Sequence, residues 1–154
     1  MGAESRITQL GIELPPAPAP VGNYVAGVRV GNLLFMSGVG PRRSDGSALT
    51  GKLGADLGTE QGYEAARVVA LNMLANIRSV IGSLDRVERV VKVLGMVNAA
   101  PDFEQAPKVI NGFSDLFVEI FGAERGRGAR SAVGMASLPG QIAVEVEMVL
   151  QVCD

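Results

Sequence analysis

The chain has no histidine, and its one cysteine, Cys153, is the last residue but one. These two absences exclude the Ser-His-Asp and Cys-His nucleophile systems, CxxC redox pairs and zinc sites that use histidine. Proton transfer is left to carboxylates, lysine, tyrosine, backbone groups or water. A single cysteine cannot form an internal disulfide, which is compatible with a reducing compartment. Charge of one sign is lacking as well, with 14 basic against 16 acidic residues and a net charge of −2. No global field draws the chain to nucleic acid or to an anionic membrane. No uncharged apolar run approaches the roughly 20 residues that a membrane helix needs. Met1 to Ile7 carries Glu4 and Arg6 without a following apolar region, unlike a secretory signal, so a cytoplasmic protein is expected.

What is present suits one domain. The 154 residues match a common domain size, and folding at that length buries roughly 70% of the unfolded surface. The apolar share is 47%, charged residues make up 19% and mean hydropathy is +0.26. This lies at the apolar end for a folded domain, and surplus apolar surface favours self-association.

Pro15 to Pro20 reads PPAPAP, an extended spacer poor in backbone donors. Residues 1–20 are therefore expected to form an N-terminal arm with a proline-rich tether, and residues 21–154 one domain. Tyr24 to Val30 and Leu33 to Ser37 are β-prone runs joined by Gly31-Asn32, a hairpin signal. Gly38 to Gly58 holds many of the glycines and reads as a long loop. Thr59 is a fair N-cap for a helix whose Tyr63, Ala66, Ala70, Met73, Leu74, Ile77 and Ile81 share one face, with Glu64, Arg67, Asn72 and Arg78 mostly elsewhere. Gly82 stops it. Val87 to Val97 is valine-rich, as expected of a central strand covered on both faces.

Pro107 marks the start of a second helix, with Ile110, Phe113, Phe117, Ile120 and Phe121 on its apolar face. From Ile142 to Val152 apolar residues alternate with Glu145, Glu147 and Gln151. Ser131 to Ser137 is expected to be its hairpin partner, turning at Pro139-Gly140. The order β-β-α-β-α-β-β predicts an α+β fold, a mixed sheet with two helices packed on one face.

Arg130 precedes the first strand of that last hairpin and Glu145 lies in the second, so the two are expected near each other across the pair. A guanidinium fork matches a carboxylate in two places at once. Spacing alone fits a plain ion pair as well as half of a ligand clamp.

GARSAVGMASLPGQIAVEVE (Gly128 to Glu147), with VGNYVAGV (Val21 to Val28) and LLFMSGVGP (Leu33 to Pro41), resembles the Rid family, the reactive intermediate deaminases, also called the YjgF or endoribonuclease L-PSP family. The likeness runs from about Val21 to Val152. It implies a chorismate-mutase-like α+β fold assembled as a homotrimer, with a ligand site in each cleft between subunits. Deaminase members hydrolyse 2-imino acids, formed from enamines, to 2-keto acids and ammonia. In that likeness Arg130 binds the substrate carboxylate and Glu145 positions the attacking water. Tyr24 and Ser37 match positions that line the pocket, Asn111 a helix residue near it, and Ala132 the residue whose backbone carbonyl holds the water. No metal or organic cofactor is implied, because an imine is already electrophilic.

The chain departs from the family pattern in three places. Ala132 replaces a common cysteine, Val39 a common glutamine, and Gly128 a common proline in a loop to which Arg125 and Arg127 add charge. Each of Tyr24, Ser37 and Asn111 also has an ordinary structural explanation, as a core aromatic, a strand-end turn residue and a helix-surface amide. The resemblance implies a small carboxylate-bearing ligand, with nucleic acid and membrane not expected as partners. A trimeric protein that binds such metabolites without turning them over is the competing expectation. A ribonuclease would lack both a histidine base and an aromatic-lined basic stripe.

Overall fold

A computed structural model describes residues 1–154. Three antiparallel pairings and one parallel pairing make a single five-stranded sheet in the order β1-β2-β5-β3-β4. The strands are β1 (Gly27–Val30), β2 (Leu33–Val39), β3 (Val87–Asn98), β4 (Ala129–Met135) and β5 (Val144–Val152). The helices are α1 (Ala3–Gln9), α2 (Thr59–Ile81), α3 (Ala106–Phe121) and the single turn α4 (Ala123–Gly126).

The period-2 alternation of β5 decides which face is core. Val144, Val146, Met148, Leu150 and Val152 are buried beneath the helices, and Glu145 and Glu147 point the other way. β1 and β2 form the expected hairpin through Gly31-Asn32, with Val30 opposite Leu33. α2 begins at Thr59, and Gln61 Oε1 accepts from the backbone N–H of Gly58, the N-cap, at 2.9 Å. α2 crosses α3 at backbone contact: a Cβ on Gly112 would lie 2.0 Å from the carbonyl oxygen of Tyr63. Phe113 and Phe117 stack at 4.6 Å in the core between helices and sheet.

Three expectations need correction. β4 is not the hairpin partner of β5; it runs parallel to β3 at the sheet edge, with Arg130 opposite Val93 and Ala132 opposite Gly95. β3-α3-β4 is a β-α-β crossover, which joins parallel strands, so the edge beside β3 is already taken when the chain leaves β4. Residues 136–143 are tied elsewhere instead of folding into a tight turn. Ile142 bridges Thr50, Ala143 N–H donates to Leu49 O at 3.0 Å, and Asn98 N–H donates to Ala143 O at 2.9 Å. β5 then enters between β2 and β3.

β3 is not covered on both faces. Val87, Val90, Val93 and Val97 face the core, and Glu88, Arg89, Val91 and Lys92 are exposed. The sheet's open face also carries Val28, Val30, Phe35, Val133 and Met135, all exposed. Asn72 is the third correction, since it is 1% exposed among the core residues of α2. Its Nδ2 donates to the carbonyls of Gly40 (3.2 Å) and Arg42 (2.8 Å), which satisfies the amide and pins the loop after β2.

Residues 1–20 include a helix that packs onto the rest of the chain. α1 buries Ala3 and Ile7 in the core. The Glu4 carboxylate accepts from Arg78 Nη2 at 2.5 Å and from the Leu84 N–H at 2.9 Å. The proline stretch that follows has no helix or strand and runs along the molecule's larger cavity. No helix is long and apolar enough to cross a membrane.

Candidate functional site

Two cavities contain almost all the residues singled out from sequence, and they divide them. The larger, about 370 Å³, lies at the end of β2. The β2–β5 register slips between Met36 and Val39. Such a bulge re-aims side chains where a strand leaves its ladder. Here it brings Gly38 against Glu145, and both line the cavity with Ser37 and Tyr24. Ser37 Oγ donates to Val25 O at 2.6 Å, so its lone pairs are the part left to a ligand. Tyr24 OH accepts from the Val21 N–H at 3.3 Å, which leaves its own proton free.

Gly38 matters because it has no side chain. A Cβ there would sit 2.9 Å from Glu145 Oε1 and 3.0 Å from Cδ. The carboxyl therefore rests against bare backbone. Glu145 is half-buried and receives no hydrogen bond from the protein. Burial raises its pKa above the ordinary carboxyl value, and the nearby Glu147 charge raises it further. A carboxyl displaced in this direction can take and return a proton nearer neutral pH. Pro18, Pro20, Val21 and Ile142 supply apolar wall, and Arg42, which makes no ion pair, lies on the lining.

The smaller cavity, about 290 Å³, opens between α3 and the β4 edge and contains Arg130 and Asn111. Arg130 Nη1 donates to Asn111 Oδ1 at 2.9 Å and to Ser114 Oγ at 3.2 Å, and Nη2 donates to Pro107 O at 3.3 Å. A guanidinium has five N–H donors. Three are used to hold the fork against α3, and the rest are available to an anion. Arg127 lines the same cavity. Arg125 does not; its Nε donates to Glu88 O at 3.1 Å and its Nη2 to Val87 O, fastening α4 to the start of β3. Ala132 lies on the Arg130 side of β4 and lines neither cavity.

Arg130 and Glu145 are thus not cross-strand neighbours. Arg130 shares the helix side of the sheet with Val93, whereas Glu145 is opposite Met96 on the other face. Within one chain they stand on opposite faces, and no salt bridge joins them. Tyr24, Ser37 and Glu145 line one cavity and Arg130 and Asn111 the other, where the sequence suggested a single group.

It also missed Ser114 and Asn76. Ser114 is three residues beyond Asn111, the spacing that puts two helix residues on one face. Asn76 lines the larger cavity at 5% exposure. The signal was present as Asn72 and Asn76, four residues apart inside an otherwise apolar stripe of α2. No group of three or more carboxylate or thiolate side chains is arranged to hold a metal ion.

Comparison with known proteins matches residues 4–148 to the family described as "YjgF/chorismate_mutase-like, putative endoribonuclease". Protein TCP17 of Trypanosoma cruzi is 45% identical over 147 residues, covering 96% of this chain and 92% of that protein. A 2-iminobutanoate/2-iminopropanoate deaminase of Dermatophagoides farinae is 29% identical over 141 residues, covering 90% of this chain and 93% of that one. Among solved structures, the Agrobacterium tumefaciens protein Atu1372 superposes with a TM-score of 0.87 at 38% identity, over 98% of this chain and 94% of its own. E. coli TdcF, solved with bound serine, superposes with a TM-score of 0.62 at 25% identity, over 92% and 97% of the two chains.

Proposed function

The chain belongs to the YjgF/chorismate mutase-like family, and from that premise we propose that it hydrolyses 2-imino acids to 2-keto acids and ammonia in clefts between the subunits of a homotrimer. One observation carries the reading. A guanidinium with unused donors and a carboxyl tuned by burial sit in two cavities on opposite faces of one sheet. A small ligand cannot touch both within one copy. It can do so where the Arg130 cavity of one copy meets the Glu145 cavity of the next, which makes the site incomplete without a partner. The open sheet face, with Val28, Phe35, Val133 and Met135 exposed, offers apolar surface for that assembly. The deaminase relative and the serine-bound structure support a small carboxylate-bearing ligand.

The chemistry follows from the groups present. Arg130 pairs with the substrate carboxylate, which lowers repulsion toward an incoming nucleophile and draws electrons from C2. A water adds its oxygen to C2 as Glu145 accepts one of its protons, and the electron pair of the C=N bond moves to nitrogen. Glu145 returns that proton to the nitrogen, a second proton comes from solvent, the C–N bond breaks and ammonia leaves. The remaining hydroxyl gives up its proton, and a C=O bond forms. One water is consumed and one ammonia released, with no redox change. Ser37 and Tyr24 present an acceptor and a donor to the same cavity. A cytosolic setting is part of this reading, since one cysteine suits a reducing compartment.

The test is the lifetime of 2-iminopropanoate produced by a lyase, followed as ammonia release. The chain should shorten that lifetime, and Arg130→Ala or Glu145→Gln should each abolish the effect. Saturable pyruvate binding with no acceleration of hydrolysis for several imino acids would refute the enzyme and leave a binding protein.

A further inference from the structure

α2 carries two buried asparagines one helical turn apart, and only one is explained by the fold. Asn72 donates to two carbonyls of the loop after β2. Asn76, at 5% exposure, lines the larger cavity with Glu145. No protein group bonds either end of its carboxamide, and its Oδ1 is sealed from solvent without a partner. Its backbone carbonyl accepts from Ser79 Oγ at 2.8 Å. Buried polar atoms are nearly always paired, and an unpaired one costs stability that leucine at the same place would not. Its neighbours Ala75 and Ile77 show that this stretch of α2 accepts apolar residues.

The cavity itself supplies the missing context. It passes the bulged end of β2, so that Glu145 stands on the open-face side and Asn76 on the α2 side, with Pro18, Pro20 and Ile142 as apolar wall. A ligand whose reacting carbon is held near Glu145 would extend its side chain toward Asn76. Nδ2 is unbonded and is not sealed as Oδ1 is, so the end of the carboxamide that a ligand can reach is a donor, matched by a neutral acceptor such as a carbonyl oxygen. An aliphatic side chain leaves the amide unpaired. An acidic one can accept from Nδ2 but adds charge to a cavity holding Glu145.

We propose that Asn76 selects the ligand's side chain, and that this site takes 2-imino and 2-keto acids with a short, neutral polar side chain, a carboxamide in particular. The inference rests on the deaminase reading of the same cavity. Its test compares two keto acids of nearly equal shape, 2-oxosuccinamate and 4-methyl-2-oxopentanoate, with pyruvate as reference, by calorimetric titration of the intact oligomer.

The wild-type protein should bind the amide tighter than the aliphatic isostere by about tenfold or more, the discrimination of a site built around a hydrogen bond. Asn76→Leu should reverse that order. Asn76→Asp, which keeps the shape, should weaken the amide while sparing pyruvate. Equal affinities of the wild-type protein for the two isosteres overturn the inference whether or not the variants fold. So does a preference that survives in Asn76→Leu. Pyruvate binding that depends on Arg130 but shows no preference for the amide removes this inference alone. Absence of binding by all three keto acids removes the deaminase reading with it.

Discussion

Subunit complementation tests the division of the site most directly. Arg130→Ala deletes the donors that α3 leaves free, and each hydrogen bond to a charged group contributes about 1.5–3 kcal/mol. Two such bonds make about 3 kcal/mol or more, a loss of roughly a hundredfold or greater in kcat/KM. Glu145→Gln removes the proton acceptor, a loss on the order of 10²- to 10⁴-fold. Each variant alone is therefore nearly silent. Suppose each cleft takes Arg130 from one subunit and Glu145 from the next. A trimer containing both variants, in either ratio, then has one cleft in which an intact Arg130 faces an intact Glu145. Co-expression with two different affinity tags and sequential capture isolates those mixed trimers. They should regain about one third of wild-type activity, since one cleft in three is rebuilt around a closed ring. If both residues act within one chain, every cleft contains one defect, and the mixed trimers remain as inactive as their parents. That result, from trimers of verified mass, would refute the argument from opposite faces.

Four further outcomes follow from the same geometry. Glu145 has a pKa raised by burial and by Glu147. Its contribution to stability is therefore fully present below the ordinary carboxyl value and is lost as pH rises through the folded value. Glu145→Gln should melt higher than wild type at about pH 7, with the gap closing below about pH 4. Glu147→Gln should move the acid limb of the activity profile to lower pH, and an unmoved limb would mean that Glu145 is not the titrating base. Gly38→Ala places a methyl 2.9 Å from Glu145 Oε1. It should lower kcat/KM by about 10- to 100-fold with little change in melting temperature, the signature of a displaced catalytic group. Gly112→Ala would drive a Cβ to within 2.0 Å of the Tyr63 carbonyl. Because backbone cannot yield as a side chain does, the cost should reach about 3 kcal/mol, or roughly 6–12 °C in melting temperature.

How far each part could be read from sequence depended on whether its signal was local. β5 declared its core face because alternation within one strand reports burial directly. The β1–β2 hairpin was legible because Gly31-Asn32 determines the pairing of the strands it joins. α2 and α3 announced themselves through apolar stripes, Gly82 and Pro107. β4 was misread because its neighbour is chosen by the β-α-β crossover from β3, not by the segment after it. Proximity along the chain made β4 and β5 look paired.

That single misplacement changed the meaning of the site. In a hairpin, Arg130 and Glu145 would neutralise one another and need no second subunit. With β5 inserted between β2 and β3, Arg130 stays on the helix side, fastened by Asn111, Ser114 and Pro107. Glu145 faces outward against Gly38 with no cation to stabilise its charge. Burial without a partner is what raises a carboxyl's pKa, and a salt-bridged Glu145 would be held ionised and be a poor proton acceptor. The separation within one chain is therefore a condition for the proposed chemistry: the arginine stays free for a ligand's carboxylate and the glutamate stays basic enough to accept a proton from water.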